Sequence, residues 1–424
     1  MKKIIILSSN FVPDQSAGAL RTNALLKELL KKNFNGEIHV FTTKSKRYGM
    51  DLKKESFLTA KALLAEYDKL FIKRFWIPYL GNSIYASAFS YLFFFAQALP
   101  YSLLVRPKIV FGTSAKLFTA FLATFIGKLN NSKIFIDYRD TFVDNYFYFY
   151  RWSKKISLLM IFILIENFIF KNADSINFVS LGFKEALQGL NKIKKENCKI
   201  TFFPNCIQPY FKKKIKESIE ESNKEFKKSN FYEVSYFGNL GEGQDILGLL
   251  KNIKKNNEIL EIFDKKKIQI NIFGSGAQMK KIKKIIEEDK KSSNINKKFS
   301  NYIHYRGLIH KKNIAKEYAK TDCLFLQLSK IKSLEMVIPT KLFEYTATNL
   351  PIIFGASGFI KDLIGDIEGT FHYKQNDAKS FLKAIEVSKK ISINPKKRED
   401  FLRNYDSSLI YPRFINHIIK ESDL

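Results

Sequence analysis

Residues 4–7, Ile-Ile-Ile-Leu, and residues 234–238, Val-Ser-Tyr-Phe-Gly, begin two successive series of alternating strands and helices. In the first series, the apolar run precedes a polar loop over 8–18, a helix over 19–31 and a second strand over 37–42. This order is typical of a parallel βαβ unit. Because both series continue in this way, we predict an α/β chain with two Rossmann-like domains that face each other across a cleft.

The chain has 424 residues, which is too long for one ordinary hydrophobic core, so two domains are expected from length as well. The segment 212–230 is rich in charge and low in apolar residues. We predict that it is a linker or an exposed insertion. The stretch 399–420 is predicted to be helical, with aromatic residues.

The charge balance favours an anionic partner. The 71 basic residues exceed the 41 acidic ones and give a net charge of +30. Lysine greatly outnumbers arginine, and lysine is poorly suited to bidentate reading of bases, so general attraction to an anionic membrane is the first interpretation. Nucleic acid and phosphorylated substrates remain alternatives.

Cysteines and histidines indicate no metal site. The three cysteines, at 198, 206 and 323, have no metal-ligand spacing and cannot all pair, which indicates a reducing compartment. The five histidines are scattered, so no metal is expected. The apolar run at the start is too short for a secretory signal, and a cytoplasmic location is predicted.

The stretch 75–105 contains no charged residue. Its length permits a membrane span, but Pro78, Gln97 and Pro100 interrupt it. A buried helix, an interfacial helix and a true span therefore all remain open. Basic residues that can meet anionic headgroups flank it, namely Lys69, Lys73, Arg74 and Arg106.

The stretch from Met336 to Gly358 carries the strongest functional signal. A helix is predicted from Thr340 to Pro351, with Lys341 in its first turn and Glu344 three residues later. A helix N-terminus attracts phosphate, a cation there binds a diphosphate, and a carboxylate on the same face accepts hydrogen bonds from ribose hydroxyls. This arrangement suits a nucleotide-sugar. The alternative is an ordinary helix with a solvated Lys–Glu pair.

Two segments of the first series are further candidates. Gly18 ends the first loop, where glycine lets the backbone approach a diphosphate, and Arg21 follows in the first turn of the predicted helix. Asp137, Arg139 and Asp140 follow a predicted strand, which favours a role in the cleft over a surface salt bridge.

Glycine-rich loops open the second series. Gly238, Asn239 and Gln244 lie in a loop with three glycines in six residues, which can hold a phosphate through backbone N–H groups. Gly274 and Gly276 follow the predicted strand over 268–273, and this loop can border a base. Tight backbone packing is the alternative in both loops.

Taken in order, these segments resemble a glycosyltransferase of the GT-B fold, specifically the retaining family 4 and its bacterial capsule, O-antigen and colanic-acid sugar transferases. The resemblance covers nearly the whole chain. It is carried by residues 16–21, 137–140, 204–205, 236–241, 272–276, 305–307 and 339–345.

The resemblance implies roles for individual residues. Gly18 is expected to contact the donor diphosphate, and Glu344 to bind the ribose as the second glutamate of the family's paired motif. The first glutamate of that motif falls on Met336, not on Glu335. The family's Arg–Lys clamp on the diphosphate falls on Asn239 and Gln244, so Lys341 is expected to neutralise the leaving group. Arg139 replaces the histidine that commonly precedes an aspartate in the first domain.

The same resemblance implies a complete set of site residues and a domain division. Donor-binding residues are expected at Gly18, Arg21, Gly238, Asn239, Gln244, Gly274, Gly276, Gly307 and Thr340, and catalytic ones at Lys341, Glu344, Arg139 and Asp140. The domains are expected over 1–205, the acceptor domain with a membrane-associating surface, and 206–395, the donor domain. A C-terminal segment over 396–424 is expected to cross back onto the first.

The implied reaction is retaining transfer of a sugar from a UDP- or GDP-linked donor, without metal or cofactor. Asp140 is expected to orient the acceptor or the sugar. The implied acceptor is a polyprenyl-diphosphate-linked or free saccharide in surface polysaccharide synthesis, reached from the cytoplasmic face of the inner membrane, with no nucleic acid as partner. A nucleotide-sugar epimerase of the same fold, a basic nucleic-acid-binding protein and a degenerate scaffold remain alternatives.

Overall fold

The structure is a computed structural model, which describes residues 2–14, 16–32, 34–44, 67–78, 84–114, 116–141, 143, 156–183, 198–225, 230–292, 298–310 and 313–422. The chain divides into two compact units. Unit 1 comprises Met1–Asn205 with Ser408–Leu424, and unit 2 comprises Cys206–Ser407.

Unit 1 is built on one parallel sheet of seven strands in the order β3-β2-β1-β4-β5-β6-β7. Its strands are β1 Lys2–Leu7, β2 Gly36–Thr43, β3 Leu70–Phe75, β4 Ile109–Thr113, β5 Lys133–Tyr138, β6 Ser175–Phe178 and β7 Lys199–Phe202. Its helices are α1 Ala17–Lys31, α2 Ile84–Val105, α3 Leu117–Leu129 and α4 Ile156–Asn172, joined by α14 Ser407–Glu421 from the end of the chain.

The central strands of unit 1 are continuous apolar runs because both faces of the sheet are covered. Ile4 to Leu7 of β1 are at most 5% exposed, and β1 pairs in parallel with β2 on one side and β4 on the other. The order of strands reverses between β1 and β4, which is the topological switch point of a doubly wound sheet.

Unit 2 is built on a parallel sheet of six strands in the order β10-β9-β8-β11-β12-β13, with its switch point between β8 and β11. Its strands are β8 Tyr232–Phe237, β9 Ile268–Phe273, β10 Ile303–Gly307, β11 Cys323–Gln327, β12 Ile352–Gly355 and β13 Thr370–His372. Its helices are α5 Pro209–Glu225, α6 Ile246–Lys254, α7 Asn257–Lys265, α8 Met279–Lys291, α9 Ile314–Ala319, α10 Thr340–Thr346, α11 Phe359–Gly365, α12 Ala378–Ser388 and α13 Pro395–Arg403. The prediction of two parallel-sheet α/β domains is confirmed.

The segment 212–230 is not a linker where the structure describes it. Residues up to Glu225 form most of α5, and Phe211, Ile215 and Ser218 are buried against the core of unit 2. These three residues recur at the spacing i, i+4, i+7, which places them on one helical face. This buried stripe is narrow, and the charged residues on the other faces dominate the composition of the segment. The prediction was wrong for that reason.

The second domain boundary lies later than the expected residue 396. α13 belongs to unit 2 because Arg398 is buried there and its guanidinium donates to the carbonyls of Glu368 and Gly369 at 2.7 and 3.2 Å. The chain joins unit 1 from Ser408 onward. There, Phe414 of α14 stacks on Phe203 with ring centroids 4.7 Å apart.

The helix that opens at Thr340 is shorter than expected and ends at Thr346 instead of reaching Pro351. The hydroxyl of Thr348 donates to the Tyr345 carbonyl at 2.7 Å and accepts from the Leu350 N–H at 3.1 Å. Such side-chain bonds offer the backbone an alternative to helix. Asn349 then takes a left-handed conformation, with φ of 57°.

Candidate functional site

The candidate site of unit 2 lies at the carboxyl end of β8, beside the switch point. Phe237, the last residue of β8, donates its N–H to the Tyr345 hydroxyl at 2.8 Å, and its ring meets that of Tyr318 edge-on at 4.8 Å. These contacts bring α9 and α10 against the end of β8. The ends of strands at such a switch point are where open parallel sheets bind ligands.

Lys341, Glu344 and Tyr318 form one polar cluster there. The Lys341 Nζ lies 2.7 Å from Glu344 Oε2 and 3.2 Å from the Tyr318 hydroxyl, which itself donates to Glu344 Oε2 at 2.6 Å. The side chains of Lys341 and Glu344 are 28% and 19% exposed. The pair is therefore held in place by a buried phenol while a part of each side chain stays accessible.

The phenols around Glu344 keep their protons. Burial, followed by the charge of Glu344, raises the pKa of Tyr318 well above its usual value. Burial and Glu344 also raise the pKa of Tyr210 on α5. A neutral phenol can donate a hydrogen bond, and Tyr318 donates its hydroxyl to Glu344 Oε2.

Glu344 and Lys341 retain bonding capacity within the described part of the chain. Both bonds to Glu344 reach Oε2, and no described residue donates to Oε1. A lysine ammonium has three N–H donors, of which Glu344 and Tyr318 take two. No side chain among the described residues caps the N-terminus of α10. An acceptor and a cation are thus available side by side.

The loop after β8 is held by a network of amide side chains around the buried Gln327. Gln327 donates to the carbonyls of Gln244 and Asp245 at 3.0 and 2.9 Å and to Asn376 Oδ1 at 2.8 Å. Asn376 donates in turn to Asp245 at 2.6 Å. Asn239 donates to Gln244 at 3.0 Å, so the two residues at the expected clamp positions bond to each other.

Gly274 and Gly276 are explained by backbone packing. A Cβ on Gly274 would lie 1.8 Å from the Gly238 carbonyl oxygen, and one on Gly276 would lie 2.6 Å from Leu240 backbone atoms. Both glycines also have positive φ, 135° and 157°. The two loops after β8 and β9 therefore touch directly, which only glycine permits. Gly307 has a φ of 88° and open space around it.

In unit 1, Arg21 has a different role from the one expected. Its guanidinium forms a two-bond ion pair with Asp137 at 2.9 and 3.0 Å and donates to the carbonyls of Pro204 and Phe203, each at 2.7 Å. Its side chain is 2% exposed. Such an arginine joins α1, β5 and the segment after β7, and has no surface to offer a donor diphosphate.

Gly18 also lies elsewhere than expected. α1 begins at Ala17, with Ser16 as its cap, so Gly18 is a buried residue in the first helical turn and not part of the loop. Its carbonyl accepts the Thr22 hydroxyl at 2.9 Å.

Arg139 and Asp140 directly follow β5 and are half-buried. The Arg139 N–H donates to the Ser114 hydroxyl at 2.8 Å, and the buried Nε of Arg139 finds no hydrogen-bond partner among the described residues. Burial raises the pKa of Asp140 to about 6, against the lowering effect of Arg139. A carboxyl with a pKa of about 6 thus lies near a guanidinium whose Nε has no hydrogen-bond partner among the described residues.

Several residues around the unit 2 cluster are not marked by any pattern in the sequence. Tyr318, Gln327 and Asn376 act on partners far away in the chain, so no local spacing identifies them. Glu335 accepts from the Ser357 hydroxyl at 3.0 Å and lies where a Cβ on Gly358 would meet it, 2.6 Å from its own Cβ. A carboxylate is therefore present beside Gly358, although the family motif places the first glutamate one residue later.

No group of three or more potential metal ligands occurs among the described residues. Thr340, expected to help bind the donor, begins α10.

Residues 217–406 match the family described as Glycosyl transferases group 1. The matched segment covers nearly all of unit 2, so unit 2 is similar to a group 1 glycosyl transferase domain. No curated protein matches the sequence.

Similar folds occur among solved structures. Sucrose-phosphate synthase from Thermosynechococcus elongatus superposes with a TM-score of 0.69 at 13% identity, over 99% of both chains. Anabaena HepE in complex with UDP-glucose gives 0.63 at 10% identity, over 99% of this chain and 100% of that one. The lipopolysaccharide outer core galactosyltransferase WaaB gives 0.58 at 14%, with the same coverages. These likenesses show the GT-B fold, and with the family match they support a GT-B glycosyltransferase.

Proposed function

We propose that the protein transfers a sugar from a UDP- or GDP-linked donor to a lipid-linked or saccharide acceptor in surface polysaccharide synthesis, with retention of configuration. The observation that carries the proposal is the Lys341–Glu344–Tyr318 cluster, which lies in the segment that matches group 1 glycosyl transferases. Proteins of similar fold include one in complex with UDP-glucose and a lipopolysaccharide galactosyltransferase, which supports the proposed donor and pathway.

The donor would use the bonding capacity that the cluster retains. Glu344 Oε1 accepts from ribose hydroxyls, while its Oε2 stays bonded to Lys341 and Tyr318. The third N–H of the Lys341 ammonium donates to the diphosphate. Negative charge develops there as the bond to the sugar breaks. A preorganised cation at that place lowers the barrier more than the ground-state energy. Lys341 thereby takes over the work of the absent Arg–Lys clamp.

The loop after β8 would complete the donor site. Its backbone N–H groups face a phosphate in our proposal, and Gln327 and Asn376 fix its shape through part-buried hydrogen bonds. Asn239 and Gln244 are uncharged, so they position the loop and leave neutralisation to Lys341. Gly238, Gly274, Gly276 and Gly307 contribute through their backbone.

Unit 1 would orient the acceptor. Asp140 has a pKa of about 6, so near neutral pH it is mostly ionised and able to accept a bond from an acceptor hydroxyl. The hydroxyl proton passes to a donor phosphate oxygen, and the hydroxyl attacks from the face that the diphosphate leaves. This proposal uses no metal, and it places the protein in the cytoplasm at the inner membrane face.

The test is a transfer assay with the full chain, membrane lipid extract and a set of isotope-labelled UDP- and GDP-sugars. We expect one donor to give a lipid-extractable labelled product in the presence of EDTA, with the anomeric configuration of the donor by NMR. A thermal-shift screen against UDP and GDP selects the nucleotide beforehand. Conversion of the donor sugar with no acceptor present would instead establish an epimerase, and no stabilisation by any nucleotide would overturn the donor site.

A further inference from the structure

Three neighbouring helices of unit 1 share an exposed apolar face, which we call the α2–α4 face. It comprises the outer sides of α2, α3 and α4, and its most exposed leucines are Leu92, Leu104 and Leu164, at 64%, 78% and 63%. Soluble monomers rarely expose contiguous apolar patches of this kind, so such a face marks an interaction site. Its other exposed large apolar residues are Phe89, Phe93, Tyr101, Leu103, Leu129, Met160 and Ile161.

Aromatic contacts make this face continuous from one helix to the next. Phe95 of α2 meets Phe125 of α3 with ring centroids 5.1 Å apart, and Phe121 of α3 meets Phe168 of α4 edge-on at 5.4 Å. These four rings are half-buried, so each also contributes to the surface. The exposed leucines on α2 and α4 thus belong to one apolar surface and not to separate patches.

The charges of these helices all have one sign at the surface. α2 has no charged residue, α3 has Lys128 alone, and α4 has Lys171 and Glu166. Glu166 is 2% exposed and accepts a hydrogen bond from Tyr138, whereas both lysines are exposed. Arg106 and Lys116, just outside the ends of α2 and α3, are exposed too. These four cations form what we call the basic rim, and the three described helices have no exposed acid. Such a face is complementary to an anionic bilayer surface.

α2 is long and apolar enough to cross a membrane, with a mean hydropathy of 1.5 over Ala88–Val105, and 33% of that window is buried. Its connections exclude a span in this fold. β3 leads into α2 and β4 follows it, and both strands belong to the same sheet of unit 1. The buried side of the helix packs on that sheet, as the contact of Phe94 with Phe75 shows. The helix therefore lies along the domain and offers a side, not an end.

We propose that the α2–α4 face is a docking surface for a bilayer of anionic phospholipid, which the leucine and phenylalanine side chains enter as far as the headgroup boundary. The basic rim contacts the lipid phosphates. A second copy of this chain fits less well, because a shared interface would set the same basic rim against itself in a protein of net charge +30. The inference deepens the proposed function by giving unit 1 its place at the membrane that holds the acceptor.

Vesicle flotation of the full chain tests the surface without any need for transfer. We compare vesicles of phosphatidylethanolamine and phosphatidylglycerol in equal parts with vesicles of phosphatidylcholine alone. The wild type should float with the anionic vesicles, weakly with the neutral ones, and less at high salt because screening reduces the charge term. The triple variant L92S/L104S/L164S should lose at least tenfold in partition. Its matched control places three serines at exposed apolar residues elsewhere, L308S/I391S/L409S, and should float as the wild type does.

A charge variant separates the two components of binding. R106Q/K128Q/K171Q should lose the preference for anionic vesicles and most of the salt dependence, while K255Q/K281Q/K390Q, with the same charge change on unit 2, should keep the preference. Circular dichroism establishes that each variant is folded.

Three outcomes overturn the proposal. The wild type stays unbound with anionic vesicles, or the leucine variant and its control bind equally, or the leucine variant alone converts a dimer to a monomer by light scattering without lipid. The last would make this face an interface between copies. Failure of sugar transfer with normal flotation would remove the proposed function and leave this surface intact, and normal transfer to a soluble saccharide without flotation would do the reverse.

Discussion

Arg21 and Lys341 are both cations near the N-terminus of a helix, in the second turn of α1 and the first turn of α10, and the structure uses them in opposite ways. Arg21 is 2% exposed and fully engaged with Asp137 and two carbonyls. Lys341 is 28% exposed and shares one oxygen of Glu344 with a phenol. A planar guanidinium suits a buried junction of several acceptors, whereas an ammonium on a flexible stem can redirect its charge to a ligand. The comparison shows that position in a motif does not determine accessibility.

Breaking the Arg21 junction should produce the largest loss of stability. Arg21→Met leaves the buried Asp137 without its ion-pair partner, which costs about 3–5 kcal/mol of unfolding free energy. Chemical denaturation followed by far-UV circular dichroism measures this loss. Arg403→Met, which removes an exposed arginine paired with Asp400, is the control and should change stability little. Equal stabilities would show that the buried pair does not hold unit 1 together.

Removing either member of the Lys341–Glu344 pair should abolish most transfer with little effect on the fold. Lys341→Ala and Glu344→Ala should each lower kcat by about 100- to 1000-fold, as loss of a single stabilising group at a developing charge does. The partly exposed pair contributes little to stability, so the thermal midpoint should move only slightly. Steady-state kinetics with the selected donor and a thermal melt measure the two effects.

The chain offers a matched pair for this experiment. Lys320 and Glu317 have the same separation of 2.7 Å and the same i,i+3 spacing in the same unit. Lys320→Ala should therefore keep normal turnover. Near-normal turnover of both Lys341→Ala and Glu344→Ala would remove these residues from the donor site.

Loosening the loop after β8 should lower stability less than Arg21→Met does and lower activity less than Lys341→Ala does. Gln327→Leu removes the three hydrogen bonds that Nε2 donates and the two that Oε1 accepts, and it leaves the carbonyls of Gln244 and Asp245 without their donor. Unsatisfied buried groups of this kind cost about 1–3 kcal/mol each at most, and we expect a total near the lower limit because the loop can relax. The measurable signature is a raised Kd for UDP or GDP by calorimetry. Unchanged affinity together with lowered stability would assign Gln327 to the fold alone.

The smallest expected effect is the pH dependence due to Asp140. Because burial raises its pKa from 3.8 to about 6, the folded protein binds this proton more tightly than the unfolded chain does. Its contribution to stability is therefore complete at low pH and is lost as the pH rises through 6. Asp140→Asn cannot titrate, so its stability should decline less over that interval.

The same variant tests the role of Asp140 in transfer. Wild-type kcat/KM should rise with pH through about 6, because Asp140 ionises and then accepts a hydrogen bond from the hydroxyl of the sugar acceptor. The asparagine variant should lack this limb of the profile. A limb of the same position in both proteins would assign it to another group.

Much of the fold could be predicted because it rests on local patterns. Continuous runs such as Ile4 to Leu7 indicate buried parallel strands, and their alternation with helices indicates the two sheets. The helix α5 escaped because only Phe211, Ile215 and Ser218 mark its inner face. There, tertiary contact decides what composition conceals.

The candidate site was predictable only in part, for a related reason. Lys341 and Glu344 are three residues apart, so helix geometry alone brings them together. Tyr318, which holds the pair, comes from another helix, and its place depends on how α9 packs against β8. The buried role of Arg21 depends on Asp137, 116 residues away. Pairings of that kind follow from the folded topology, and no regular spacing in the sequence predicts them.

The split of unit 1 into two stretches of chain sets a condition on its biosynthesis. Phe111 and Phe203 of the first stretch are covered by Phe414 of the last helix, which leaves the ribosome only after all of unit 2. Until translation is nearly complete, the nascent first domain has an uncovered aromatic face, and such intermediates are prone to aggregate. A nonsense codon shortly after unit 2 would therefore release a chain whose defect lies in the domain synthesised first.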